Sequence, residues 1–168
     1  MQSARSKETP RRAVAWSEVQ QVGILVDADR PDMHAAAQKW IRALEQAGKQ
    51  VLVLECTHAK VPKGEEPLAT RLYRNELNWY GRPLAAKAHD FAEAKTDLLV
   101  VFAERLTEPM RWMSSLSKSA CRAGMDGDAT DCLDLIVEVR QGQVQRFAGE
   151  LERILRLNEQ MQEPVSGA

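Results

Sequence analysis

Apolar and polar positions alternate along this chain in blocks that change period. Val22-Gly-Ile-Leu-Val26 is a short apolar run with β-branched residues that closes on Asp27, the pattern of a strand buried on both faces. Asp29-Arg-Pro-Asp32 then turns the chain, and Pro31 with Asp32 suits a helix start. Met33, Ala36, Ala37, Trp40, Ile41, Leu44 and Ala47 draw one stripe down that helix, and Gly48 ends it as a C′ residue. Val51-Leu-Val-Leu54 reads as a second strand, completing a βαβ unit whose crossover is expected to be right-handed.

Beyond it the pattern weakens. Thr57 to Pro67 is polar and reads as an exposed loop, and Leu68 to Tyr80 fits either a short helix or a strand ending at Asn78-Trp79-Tyr80. Gly81-Arg-Pro83 is a turn, and Pro83 opens a helix to about Lys95 with Leu84, Ala88 and Phe91 on one side. Asp97-Leu-Leu-Val-Val-Phe102 is a third strand. Met110, Met113 and Leu116 follow at helical spacing, in a helix expected to stop before Gly124. Leu133-Asp-Leu-Ile-Val-Glu-Val139 is a fourth strand. The last helix carries Val144, Phe147, Leu151, Ile154 and Leu155.

This alternation predicts a three-layer α/β fold. Its sheet is mainly parallel, of four to five strands in the order 2-1-3-4, as in a Rossmann-like or flavodoxin-like half. Residues 16–160 form one domain in this reading, with polar, disordered tails at 1–15 and 161–168. A chain of 168 residues with 44% apolar and 28% charged residues can bury a core without disulfides. The net charge of −1 argues against bulk nucleic-acid binding, which would need a local basic face from Arg71, Arg74, Arg82, Lys118 and Arg122. Cys56, Cys121 and Cys132 form no C-x-x-C or zinc spacing and read as reduced, partly buried thiols. No apolar run approaches a membrane span and no secretory h-region is present, so a cytoplasmic protein is expected.

The predicted topology brings strand exits together where the strand order reverses. Asp27 and Asp29 leave the first strand there, Glu104 and Arg105 the third, and Cys56, His58, Lys60 and Lys63 the second. Two carboxylates at i and i+2 can share a divalent cation. Phosphatases of the haloacid-dehalogenase type use such an Asp-x-Asp, but Arg30 stands where Thr or Val is usual and no later acidic pair completes a metal site. The structural alternative is an Asx turn with Asp29 and Asp32 capping the helix, and this is favoured. No glycine-rich phosphate loop is present, and no metal or other cofactor is expected.

Asn75-Glu-Leu-Asn-Trp-Tyr-Gly-Arg-Pro83 is the most distinctive stretch. Trp79 or Tyr80 can stack on a ring while Asn78 and Arg82 make polar contacts. The favoured alternative has Trp79 plugging the core. Lys118, Ser119 and Arg122 suit a phosphate contact, or more simply a helix end with cations facing its dipole and Gly124 as the stop.

Taken in order, Val22-Gly-Ile-Leu-Val-Asp27, Gly48-Lys49, Leu77-Asn-Trp-Tyr-Gly-Arg-Pro83, Asp97-Leu-Leu99, Ser119-Ala-Cys-Arg-Ala-Gly124 and Leu133-Asp-Leu-Ile136 resemble a family of short bacterial proteins with a domain of unknown function. That resemblance spans Trp16 to Asn158 and implies a shared fold. Lys118-Ser119 and Arg122-Ala-Gly124 are also similar to a segment in the acceptor half of heptosyltransferase-like glycosyltransferases. Ala123 departs from the β-branched residue usual there. Those enzymes need a second Rossmann-like domain, for which this chain has no room, so that resemblance implies an accessory or degenerate half. The missing catalytic constellation leads to an expected non-catalytic protein-interaction module, acting on a protein partner or as a homodimer. The alternative is a small enzyme or sensor for a phosphorylated or nucleotide-like ligand at the carboxyl edge of the sheet, anchored on Asp27.

Overall fold

The computed structural model describes residues 13–162. Its described residues build one open sheet from β1 (Gln21–Asp27), β2 (Gln50–Cys56), β3 (Arg71–Leu72), β4 (Leu98–Phe102), β5 (Cys121–Gly124) and β6 (Leu135–Ile136). The order is β3-β2-β1-β4-β5-β6 and every ladder is parallel. The helices are α1 (Pro31–Gln46), α2 (Ala86–Glu93), α3 (Glu108–Leu116) and α4 (Phe147–Gln162). None is long and apolar enough to cross a membrane.

Alternation along the central strands divides the core. Val22, Ile24 and Val26 of β1, with Leu98, Val100 and Phe102 of β4, pack under α1 and α4. Leu25, Leu99 and Val101 point the other way, under α2 and α3. The crossover through α1 steps from β1 toward one edge, and that through α3 steps from β4 toward the other. Two right-handed crossovers stepping in opposite directions must lie on opposite faces, as these helices do. Gly23 belongs to the α2 face: a side chain there would meet Phe91, Leu99 and Thr96 at 3.4–3.6 Å. The start of β4 is tied to that of β1 by Asp97, whose carboxylate accepts from the Gln20 and Gln21 N–H groups, both at 2.9 Å.

The four expected strands are β1, β2, β4 and β6, and they keep the expected relative order, with β5 inserted between the last two and β3 added at one edge. The segment Ser117 to Gly124 is not the end of a helix. α3 stops at Leu116, Ser117 is extended, and Cys121–Gly124 forms the fully buried β5. Cys-Arg-Ala-Gly has little strand propensity of its own, and burial between two neighbouring strands overrides it. The strand expected over 133–139 pairs only at Leu135–Ile136, although the Val137 N–H still donates to the Gly124 carbonyl at 2.9 Å. Leu84 precedes α2 and is exposed. Val14 and Ala15, expected in the polar tail, are buried. The expected disorder of 1–12 and 163–168 lies outside the described residues.

Candidate functional site at the carboxyl edge

β1 ends in the acidic pair, and the two carboxylates do different work. Asp27 Oδ1 accepts from the Asp29 N–H at 3.1 Å, an Asx-type turn. Asp29 does not cap α1. Its Oδ1 accepts from the Thr57 hydroxyl at 2.6 Å and its Oδ2 from the His58 N–H at 2.8 Å, so it clamps the exits of β1 and β2 together. The N-cap of α1 is Arg30, and it makes no side-chain cap. Asp32 accepts from the Met33 N–H at 2.8 Å and takes the Arg30 guanidinium on both oxygens, at 3.1 and 2.8 Å. Arg30 also reaches Glu104 at 2.7 Å, which bridges the ends of β1 and β4 where the strand order reverses.

Beside that bridge, a small cleft of about 30 Å³ lies over the ends of β1, β2 and β3 and the loop after β4. Asp27, Cys56, His58, Leu77, Thr107 and Pro109 are among its walls. Burial pushes the Asp27 carboxyl above its usual range; the Asp29 N–H offsets part of this, and the Asp29 charge adds to it. Burial acts on Asp29 as well, but the Thr57 hydroxyl and His58 N–H outweigh it and hold that carboxyl low. A pair of carboxyls driven apart in this way leaves one oxygen-rich group, Asp27, facing the cleft with no partner among the described residues for its Oδ2. The Cys56 thiol is buried and pushed far up by desolvation, so it is no nucleophile at neutral pH. Among the described residues, no three His, Cys, Asp or Glu side chains are grouped to hold a metal ion.

Desolvation of Asp27 makes a testable statement. The folded state binds its proton more readily than the unfolded chain, so Asp27 loses stability for the fold as pH rises from about the unfolded value near 3.8 through the folded one. Asp27→Asn keeps the acceptor for Asp29 and removes the charge. Thermal unfolding is expected to show the variant above the wild type at pH 7, with the gain vanishing below about pH 4. An equal or lower midpoint at pH 7 would refute the desolvation argument.

The Asn75–Pro83 stretch forms a tight turn beside the cleft. Asn78 Oδ1 accepts from the N–H groups of Tyr80 at 3.0 Å and Arg82 at 2.9 Å, and Leu77 bridges Pro83. Trp79 does not plug the core. It is 85% exposed and Tyr80 63%, and their rings lie against each other with centroids 3.7 Å apart and planes tilted by 31°. The turn is pinned from below by Lys87, which pairs with Glu76 at 2.8 Å and donates to the Leu68 carbonyl at 2.9 Å. It also rests on the start of α3. Gly81 has φ +83°, and an added Cβ would sit 3.0 Å from Glu108 Cβ. Gly81→Ala therefore meets both backbone strain and a steric limit, and is expected to cost about 1–2 kcal/mol, read as a lower denaturant midpoint with unchanged slope.

The remaining candidates lie elsewhere. Lys118 and Ser119 precede β5, at the opposite end of the sheet; Lys118 pairs with Glu93, and Ser119 lies in a buried hydroxyl cluster with Thr96 and Ser117. Arg122 is buried at 8% exposure, giving Asp134 two side-chain bonds at 3.1 Å and the Ser114 carbonyl one at 3.1 Å. Arg82 lines a neighbouring groove with Tyr80 and Arg111. Arg71 pairs with Glu55 at 2.8 Å, so Arg71, Lys118 and Arg122 do not join Arg74 and Arg82 in an open basic face. Sequence reasoning missed Asp126, which is buried and accepts from the N–H groups of Leu106 at 2.8 Å and Asp128 at 2.9 Å, fixing the loop that leads into α3. Its signal was the turn composition of Asp126-Gly-Asp128 after a buried strand.

A family model described as "Family of unknown function (DUF6913)" matches residues 1–157. No curated protein and no solved structure matches the chain.

Proposed function

The chain belongs to the family of unknown function DUF6913, and from that starting point we propose that it is a binding protein taking a small polar ligand at the carboxyl edge of its sheet. The observation that carries this reading is Asp27: a half-buried carboxylate on a cleft wall, held by one backbone bond and with its second oxygen unengaged among the described residues. A fold keeps a desolvated carboxylate that is only partly compensated at a cost, and such groups concentrate at binding and catalytic sites. The strand order 3-2-1-4-5-6 is that of doubly wound sheets, whose ligands sit outside the carboxyl ends of the strands.

Thermal unfolding against sugars, nucleosides, nucleotides and sugar nucleotides tests the reading. A member present at a hundred times its Kd adds about 2.7 kcal/mol, and the shift is expected to shrink in Asp27→Asn. Absence of any shift, with no perturbation of cleft resonances by NMR, would sink it.

A second reading, a non-catalytic protein-interaction module, is favoured by one separate observation. Trp79 and Tyr80 are both exposed and stacked on a pinned turn, the form of a rigid aromatic anchor. Concentration-dependent mass by sedimentation that disappears in the Trp79→Ala/Tyr80→Ala double variant, with the unfolding midpoint unmoved at dilutions where the wild type is monomeric, supports a homodimer through this turn. A monomer at all concentrations counts against it.

A further inference from the structure

The cleft at Asp27 opens into a broader groove, with His58, Leu77, Thr107 and Pro109 shared between the two. Trp79 forms a wall of that groove, while Tyr80, stacked against it, lines the groove on the other side. An aromatic ring entering beside Trp79 would add a third ring to this tilted pair, and Trp79 at 85% exposure has the area to offer.

The polar groups of the groove are biased in one direction. Lys60 and Arg74 are exposed and, among the described residues, make no side-chain hydrogen bond or ion pair. Asn75 spends its carbonyl oxygen on the Val61 N–H at 3.2 Å, and Asn78 spends its own on the Tyr80 and Arg82 N–H groups. Backbone donors fix the orientation of both amides, so each is left with its NH₂ as the free group. Cations and amide donors thus make up most of the polar lining, against one acid, Glu108. A donor-rich lining is matched by an anion rich in acceptor oxygens, and a phosphate suits a groove lined by both a Lys and an Arg. In the narrower cleft the sense reverses: the open oxygen of Asp27 accepts, which suits a sugar hydroxyl.

We infer that the site takes a phosphorylated nucleoside, with the base on Trp79, the phosphate on Lys60 and Arg74, and a ribose hydroxyl toward Asp27. This rests on the ligand-binding reading above and deepens it.

Titration of the full chain by NMR and calorimetry with AMP, GMP, CMP and UMP, each beside its nucleoside, tests the assignment. Ribose 5-phosphate and inorganic phosphate serve as controls. At least one nucleotide is expected to bind about tenfold or more tighter than its nucleoside, a difference near 1.4 kcal/mol. Lys60→Gln/Arg74→Gln is expected to remove that preference and leave nucleoside binding in place. Trp79→Ala is expected to bring the nucleotide down to the level of ribose 5-phosphate. All of these positions are exposed, so the variants fold, and unchanged unfolding midpoints verify it. A nucleoside that binds the cleft as well as its nucleotide overturns the inference and leaves the ligand-binding reading standing. Phosphate or ribose 5-phosphate binding as tightly as every nucleotide overturns the role of the ring. No binding of any member, phosphorylated or not, overturns both.

Discussion

Phe102→Ala is expected to cost about 4 kcal/mol and to lower the unfolding midpoint by roughly 8–16 °C. Phe102 ends the central strand β4, is fully buried, and sits between two other rings: Trp40 of α1 at 5.8 Å and Phe147 of α4 at 5.3 Å, the latter edge-on at 90°. Trp40 in turn meets Trp16 at 6.4 Å. This row of rings joins the N-terminal segment, both helices of one face and the sheet. Truncation leaves a void among large, rigid neighbours that collapse poorly, so the cost belongs at the high end for a core substitution. Phe102→Leu keeps most of the volume and is expected to lose less than half as much. Urea unfolding with unchanged slope distinguishes lost packing from a changed unfolded state. A cost below about 1 kcal/mol would mean that these rings are not the keystone of the α1/α4 face. The apolar walls of the Asp27 cleft, Cys56, Leu72 and Leu77, belong to the core on the α2/α3 side, so ligand affinity at low temperature is expected to survive.

Arg122→Leu is the second large effect, about 3 kcal/mol of lost stability. The guanidinium satisfies Asp134 and the Ser114 carbonyl, and the Arg122 N–H donates to Asp134 at 2.8 Å. Removing the cation takes the guanidinium from a partly buried carboxylate beside β5 and leaves the Ser114 carbonyl only its bond from the Ser117 N–H at 3.3 Å. Arg122→Lys is expected to recover little, because an ammonium cannot reproduce the planar fork. This side chain is committed to holding β5 and β6, so its loss is expected to act on the unfolding midpoint and not on nucleotide affinity. Selective loss of affinity in a variant of normal stability would contradict that assignment.

These residues also show what the sequence displayed and what it hid. β1 and β4 were readable because a strand buried on both faces must be apolar at every position, and Ile24, Val100 and Phe102 are that. α1 was readable from its stripe and from Gly48, whose φ of +80° is the conformation a helix-ending glycine provides. β5 was hidden because one of its four buried residues is Arg122, a charge made tolerable by Asp134 and the Ser114 carbonyl, neither of which is a sequence neighbour. Asp27 was legible as a strand-exit carboxylate. The true employment of Asp29 was not, because its partners Thr57 and His58 arrive from another strand. The exposure of Trp79 was misread for a related reason: an aromatic beside Asn-Gly turn residues has no periodicity to say which way it faces, and that is decided by the Asn78 hydrogen bonds.

The placement of β1 at the centre of the sheet has a further consequence, for the order of assembly. β1, α1 and β2 are adjacent in sequence and can close as one unit soon after synthesis. The other edge of β1 must wait for β4, more than forty residues beyond the end of β2. During that interval a strand that is apolar from Val22 to Val26 stands with one row of backbone donors and acceptors unpaired, and the residues between are the irregular insert and the short α2. The slow step of folding is therefore expected at the arrival of β4, fastened at its start by Asp97, and partially made chains are expected to be most open to mispairing with one another just before it.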